Sequence, residues 1–178
     1  AKFVIIGLKQ LKDFYPELVA HNLNRTDLPG GGRLEARPVM LGFPAREGEV
    51  DSSGLTYARA LDDPATRKRF AEAVKPLVAE GESVGLPAVL GLDDHNAWSE
   101  VAEAIGAPVF EIPLPPPSVP GMRLNRALTA RAKAAGVRVV PGSKVTGFRA
   151  SGGAVDSVQL ATAGGDRDFV ADAFVLAT

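Results

Sequence analysis

The chain has 178 residues, of which 46% are hydrophobic and 23% charged, with a formal net charge of −1. That profile fits one sizeable core, or a domain with an appendage, and offers neither a basic field for nucleic acid nor a like-charge block for a tail. No apolar run reaches the roughly 18–20 residues needed to span a bilayer. Zero cysteines exclude disulfides and iron–sulfur ligation within the chain, and with only His21 and His95 no metal site is expected.

Phe3–Leu8 is a short apolar, β-branched run and reads as a buried strand. Leu11, Phe14, Tyr15, Leu18 and Asn22 then mark a helical face, with Pro16 admissible only near its start. A strand feeding a helix invites a dinucleotide reading, but only Gly7 stands where G-x-G-x-x-G requires three glycines. Gly30–Gly32 follow Asp27-Leu28-Pro29 and precede a strand over Leu34–Phe43, so they read as a flexible connection.

A polar stretch follows Pro44, and Asp63-Pro64 supplies an N-cap and first-turn pair. The helix behind it carries Phe70, Ala73, Val74 and Leu77, with a kink expected at Pro76. Ser83–Leu92 reads as a second buried strand. Asp93-Asp94-His95 sits between its end and a helix presenting Trp98, Val101, Ala102 and Ile105. That position suits ligand groups in α/β proteins and equally suits helix capping.

Pro108–Ile112 is a further short strand and leads into P-L-P-P-P-S-V-P-G-M-R, Pro113 to Arg123. Its five prolines bar a helix or a central strand from Pro113–Pro117. The segment delivers the chain onto a helix N-terminus where backbone N–H groups, the helix dipole and the Arg123 guanidinium gather. One reading is an anion-binding turn; the other is a connector in which Ser118 caps the helix and Arg123 is solvated. Leu124, Leu128, Ala132 and Ala135 continue at helical spacing, and Gly136 ends the helix. Alternating strands and helices to this point predict an α/β layer architecture with a partly parallel sheet and flanking helices.

The remainder changes character. Val137–Val140 reads as a strand, and Lys144–Ala150, Val155–Ala161 and Arg167–Ala171 as a small antiparallel β-meander joined by glycine turns. Ala173–Thr178 reads as a final buried strand. The expected organisation is therefore a cap-type or substrate domain over 1–136, then a meander and buried strand over 137–178, excised from a longer protein.

Two stretches carry a family resemblance. G-V-R-V-V-P-G-S-K-V-T-G-F through F-V-L-A-T resembles a segment of two-dinucleotide-binding-type flavoproteins, in which a meander precedes a strand ending A-T-G beside the flavin; Ala177 and Thr178 match its first two residues. F-V-I-I-G-L-K-Q-L-K-D-F, L-P-A-V-L-G-L-D-D-H-N-A-W and L-P-P-P-S-V-P-G-M-R-L resemble, in order, segments of the family of anaerobic glycerol-3-phosphate dehydrogenase B subunits.

That resemblance implies that the parent takes part in oxidising sn-glycerol 3-phosphate to dihydroxyacetone phosphate, with electrons passed to quinone. It implies FMN or FAD in the parent, with none expected in the isolated fragment, which is expected to be inactive. It also implies two partners, a catalytic A subunit and an iron–sulfur, membrane-anchoring C subunit, and a cytoplasmic place against the inner face of the membrane. It assigns no catalytic acid or base. The expected cofactor- or substrate-binding residues are Ser118, Val119, Gly121, Met122, Arg123 and Thr178. Three readings follow: an enzyme piece, a non-catalytic docking domain of the same complex, or part of a flavin reductase with another substrate.

Overall fold

The first apolar run forms β1, Lys2–Leu8, in the computed structural model, which describes residues 1–177. Its last five residues are all buried, a continuous rather than alternating pattern, as expected of an inner strand of a parallel sheet whose faces are covered. The neighbours are β2 (Glu35–Leu41) and β3 (Glu82–Pro87), with β4 (Val109–Ile112) beyond β3. The order is β2-β1-β3-β4 and every pairing is parallel. Helices α1 (Pro16–Asn24), α2 (Gly54–Ala60), α3 (Pro64–Val74), α4 (Ala97–Ile105) and α5 (Val119–Ala134) alternate with these strands. The mixed α/β architecture with a parallel sheet and flanking helices is therefore the observed one.

Close packing at the sheet depends on small residues. A Cβ on Gly85 would stand 2.7 Å from Ile5 Cδ1 and 2.8 Å from Phe110 Cζ. Phe110 in turn meets Phe3 edge-on, with ring centroids 5.7 Å apart. The β2 edge tolerates Pro38 because, among the described residues, no strand pairs on its outer side. There the Asn24 side chain acts as a strand would: its Nδ2 donates to the Ala36 carbonyl at 2.8 Å, and the Ala36 N–H donates to its Oδ1 at 2.7 Å. At the amino end of the sheet Arg37 donates through Nε and Nη2 to both Glu82 oxygens at 2.6 Å. The Arg37 bond, ahead of the cost of burial, holds the Glu82 carboxyl below its usual range.

The expected boundaries need several corrections. Helix α1 begins at Pro16, so Leu11 and Phe14 are buried in the preceding turn, while Tyr15 and Leu18 face outward. Pro16 has no N–H to lose at the first helical position, and this sets the start. Pro76 does not kink α3; the helix stops at Val74 and a 3₁₀ turn over Lys75–Leu77 takes the proline. Strand β3 stops at Pro87, and Ala88–Leu92 are buried as loop instead of strand. Trp98 is exposed on α4, whose buried face is Ala97, Val101 and Ile105.

The chain divides into two compact units, Ala1–Leu128 and Thr129–Thr178, and the division falls inside α5. The end of α5 is a Schellman motif: the Val137 N–H reaches the Ala132 carbonyl and the Gly136 N–H the Lys133 carbonyl, with Gly136 at φ 79°. In the second unit β5 (Lys144–Ser151), β6 (Ala154–Thr162) and β7 (Gly165–Val170) form an antiparallel sheet in sequence order. Two strand expectations fail here. Residues 137–140 form no strand, because the Schellman turn fixes their entry and no ladder receives them. Residues 173–177 also form none: the sheet ends at β7, and Val175 and Leu176 are 91% and 90% exposed. Thr178 lies outside the described residues.

Candidate functional site at the carboxyl edge of the parallel sheet

All four parallel strands end on one edge, and the strand order reverses between β1 and β3. The crevice outside such a reversal is where open α/β sheets receive ligands. Three chain segments meet there: the turn after β1, the loop after β3, and the proline segment after β4.

The loop after β3 is held by carboxylates. Asp62 Oδ1 accepts from the backbone N–H groups of Leu92, Asp93 and Asp94 at 2.8, 2.9 and 3.0 Å. Burial alone would raise the Asp62 pKa, but those three donors and the Arg67 charge outweigh it and hold the carboxyl below its usual value. Glu111 of β4 accepts from the Leu90 N–H at 2.7 Å. Gly91 takes φ 81°, and a Cβ there would stand 2.8 Å from Ala97 Cβ and 2.9 Å from the Asp94 carbonyl oxygen. Only glycine suits that position.

Three arginines hold the same loop. Arg67, whose side chain is 3% exposed, pairs with Asp94 and Glu100 at 2.8 and 2.7 Å. It also donates to the Leu61 and Asp62 carbonyls. Arg123 donates through Nε to the Gly91 carbonyl at 2.7 Å and through both Nη atoms to Glu111. Arg126 pairs with Asp93. Asp94 Oδ1 accepts from the Asn96 N–H just before α4, and His95 is exposed.

Among the sequence-predicted residues, Ser118, Val119, Gly121, Met122 and Arg123 come together at the start of α5. Val119 is fully buried against Ala58 and Leu92, with Met122 packed alongside. The Met122 N–H donates to the Ser118 carbonyl at 3.0 Å, and the Gly121 N–H lies 3.4 Å from Ser118 Oγ. A Cβ on Gly121 would meet nothing closer than Ser118 Cβ at 3.7 Å, so packing within the chain does not demand glycine there. Arg123 spends its fork on Glu111 and Gly91, which makes it a brace between β4, α5 and the loop after β3.

The turn after β1 is not a pyrophosphate cradle. A Cβ on Gly7 would stand 2.7 Å from both Met40 Sδ and Pro16 Cγ, so this glycine serves strand–helix packing. The residues from Lys9 to Tyr15 include no glycine, and Tyr15 makes no side-chain cap at α1. The flavin pyrophosphate implied by the resemblance does not fit this turn.

Sequence reasoning missed α2 and Asp62. Ser53, which caps α2 by accepting from the Thr56 N–H, was a readable signal, with Leu55, Ala58 and Leu61 spaced by three residues behind it. Asp62 had none, because its partners lie 30 to 32 residues away.

A family model described as FAD binding domain matches residues 1–178. The chain is 32% identical, over 98% of its length, to a protein of Halobacterium salinarum named as the probable B subunit of anaerobic glycerol-3-phosphate dehydrogenase, and covers 42% of that protein. Proteins of Pectobacterium atrosepticum and Yersinia enterocolitica, named as the B subunit of the same dehydrogenase, are 33% and 32% identical over 79% and 81% of this chain. The chain covers 33% and 34% of those two, so it spans well under half of the curated relatives it matches. No solved structure matches it.

Proposed function

The chain belongs to the FAD binding domain family, and from that premise we propose that it is part of a flavin-dependent dehydrogenase subunit oxidising sn-glycerol 3-phosphate to dihydroxyacetone phosphate. The observation that carries the reading is 32% identity across 98% of the chain with a relative bearing that name. FAD is the flavin of the full-length protein in this reading, and the electrons pass to a quinone. Its partners are a catalytic A subunit and an iron–sulfur C subunit that holds the complex at the inner face of the cell membrane. Among the described residues no helix is long and apolar enough to cross a membrane.

In this reading the turn from Ser118 to Arg123 lines the cofactor or substrate side of the parent's cleft. Arg123 acts as a positioning residue that fixes the loop after β3 through Glu111 and Gly91. Gly121 is the point of close approach, since among the described residues a Cβ there would meet Ser118 Cβ only at 3.7 Å. Thr178 is the proposed flavin-side contact of the second unit.

The test uses the full-length protein in its complex. Loss of flavin absorbance on adding sn-glycerol 3-phosphate, but not unrelated hydroxy acids, is the expected result; bleaching by neither overturns the reading. Gly121→Ala separates site from scaffold. Alanine gains about 0.8–1 kcal/mol over glycine inside a helix, so the fold is expected to hold or gain stability while turnover falls. Unchanged turnover would remove Gly121 from the site.

A second reading, that the domain docks onto another protein of the complex, is favoured by Leu124 and Leu128, which are 60% and 61% exposed on α5. Replacing both with serine would then weaken assembly of the complex and spare the turnover of what remains assembled.

A further inference from the structure

The two edges of the parallel sheet are finished differently. At β2, Asn24 takes both backbone groups of Ala36, and Pro38 has no N–H. At β4, the ladder to β3 is framed by two bonds: the Val84 N–H donates to the Pro108 carbonyl at 2.8 Å and the Ala88 N–H to the Ile112 carbonyl at 2.9 Å. Successive residues of a strand turn their backbone groups to opposite sides, so Pro108, Phe110 and Ile112 face β3 while Val109 and Glu111 face away. Among the described residues no strand lies beyond β4, and neither Val109 nor Glu111 has a backbone hydrogen-bond partner on that side. Such an edge is a template for a further strand.

Beside this edge lies a cavity of about 260 Å³ lined by Trp98, Val109, Phe110 and Glu111. Trp98, in the first turn of α4, is the chain's one tryptophan and is 52% exposed. A large aromatic side chain of this kind is what protein interfaces use as an anchor. Unpaired strand groups and an aromatic anchor thus share one surface.

The partner that fits is a second copy of the same strand. We propose that β4 and Trp98 form an interface through which two copies of this protein join, β4 against β4, antiparallel about a two-fold axis at Phe110. In that register Val109 of each copy stands opposite Glu111 of the other, and each such pair exchanges two N–H···O=C bonds, which uses every outward donor of both strands. Phe110 meets its own counterpart, an aromatic cross-strand pair. Pro108 falls opposite Ile112, where an antiparallel ladder asks for no donor. Pro113, the next outward position, has no N–H, so the pairing ends where the strand does. Glu111 opposes a valine instead of a like charge, and its carboxylate is already met by Arg123. Because the β2 edge is closed, joining at β4 stops at a pair and does not run on into a filament.

The experiment follows the full-length protein, purified alone, by sedimentation equilibrium over a range of concentrations, with its Trp98→Ser and Val109→Pro variants. Val109→Pro removes an outward donor and no bond to β3, and Trp98→Ser removes a side chain that is half in water; circular dichroism checks that each keeps the fold. The expected result is a monomer–dimer equilibrium whose dissociation constant rises about tenfold or more in each variant. Amide exchange reads the edge itself: at concentrations that favour the dimer, exchange slows at Val109 and Glu111 far more than at Phe110 and Ile112, whose amides already face β3. A full-length protein that stays monomeric throughout overturns the proposal, whether another part of the polypeptide or a strand of a different protein then covers the edge. A dimer whose Val109 and Glu111 amides exchange at the monomer's rate overturns it too, as does a dissociation constant within about twofold of the unsubstituted protein's in a folded variant. If Val109→Pro fails to fold, Trp98→Ser and the exchange pattern decide.

Discussion

In the parallel unit β1 buries five consecutive residues, whereas β5 of the antiparallel unit leaves Val145 59% and Phe148 68% exposed. Both strands are rich in apolar, β-branched or aromatic side chains. The difference lies in what covers them. Strand β1 has a strand on each side and helices packed against its sheet, so Val4, Ile5, Ile6 and Leu8 join one core with Tyr57, Phe70 and Val74. The meander is a single layer of three strands in which Ser157 is the buried residue among those described. Apolar content marks a surface that could be buried; a second layer decides whether it is.

This contrast breaks most directly at Phe70. It is fully buried and meets Phe43 edge-on at 5.1 Å, so Phe70→Ala is expected to cost about 3–5 kcal/mol. Urea unfolding of the full-length protein, followed by a probe in the parallel unit, measures it. Arg67→Met comes next. It removes a guanidinium that satisfies two carboxylates and two carbonyls, but Asp94 and Glu100 keep access to water, so about 2–3 kcal/mol is expected. Amide exchange at Leu92, Asp93 and Asp94 should quicken in the same variant, since the loop they cap loses its brace.

A smaller effect separates the two edges of the parallel sheet. The folded-state pKa of Glu82 is depressed, so its pairing with Arg37 stabilises the fold above the ordinary glutamate range. That contribution is lost as pH falls through the depressed folded value. The stability gap between the unsubstituted protein and Glu82→Gln should therefore close on acidification; a gap that widened would reverse the assignment. The smallest effect is expected in the meander. Phe148→Ser removes a side chain that is already mostly in water, and a change within about 0.5 kcal/mol is expected by the same urea assay. A cost of several times that would mean that Phe148 is covered in the full-length protein.

The sequence made β1 legible because a strand buried on both faces leaves a continuous apolar, β-branched run. Asp63-Pro64 and Gly136 were legible for local reasons: the cap bonds to the Thr66 N–H, and the positive φ needs glycine. What failed was the reading of apolar runs that stop short of a ladder. Ala88–Leu92 is as apolar as β3 and is equally buried, yet it is loop: the Ala88 N–H still reaches the Ile112 carbonyl, but the Leu90 and Leu92 amides turn to the Glu111 and Asp62 side chains instead of a strand. The candidate site divides the same way. The proline turn and Arg123 stood out from composition, while the partners that occupy Arg123 sit 12 and 32 residues away and left no trace in local spacing.

The Asn24 amide on Ala36 bears on how this protein avoids joining its neighbours. An open strand edge is a template, and an unblocked β2 would offer its donors and acceptors to any extended chain. One side chain answers the Ala36 donor and acceptor from within, and two residues further on Pro38 has no N–H to offer. Replacing Asn24 would thus test more than a helix–strand contact. It would reopen an edge that the fold keeps shut against templated self-assembly with a single amide and a ring.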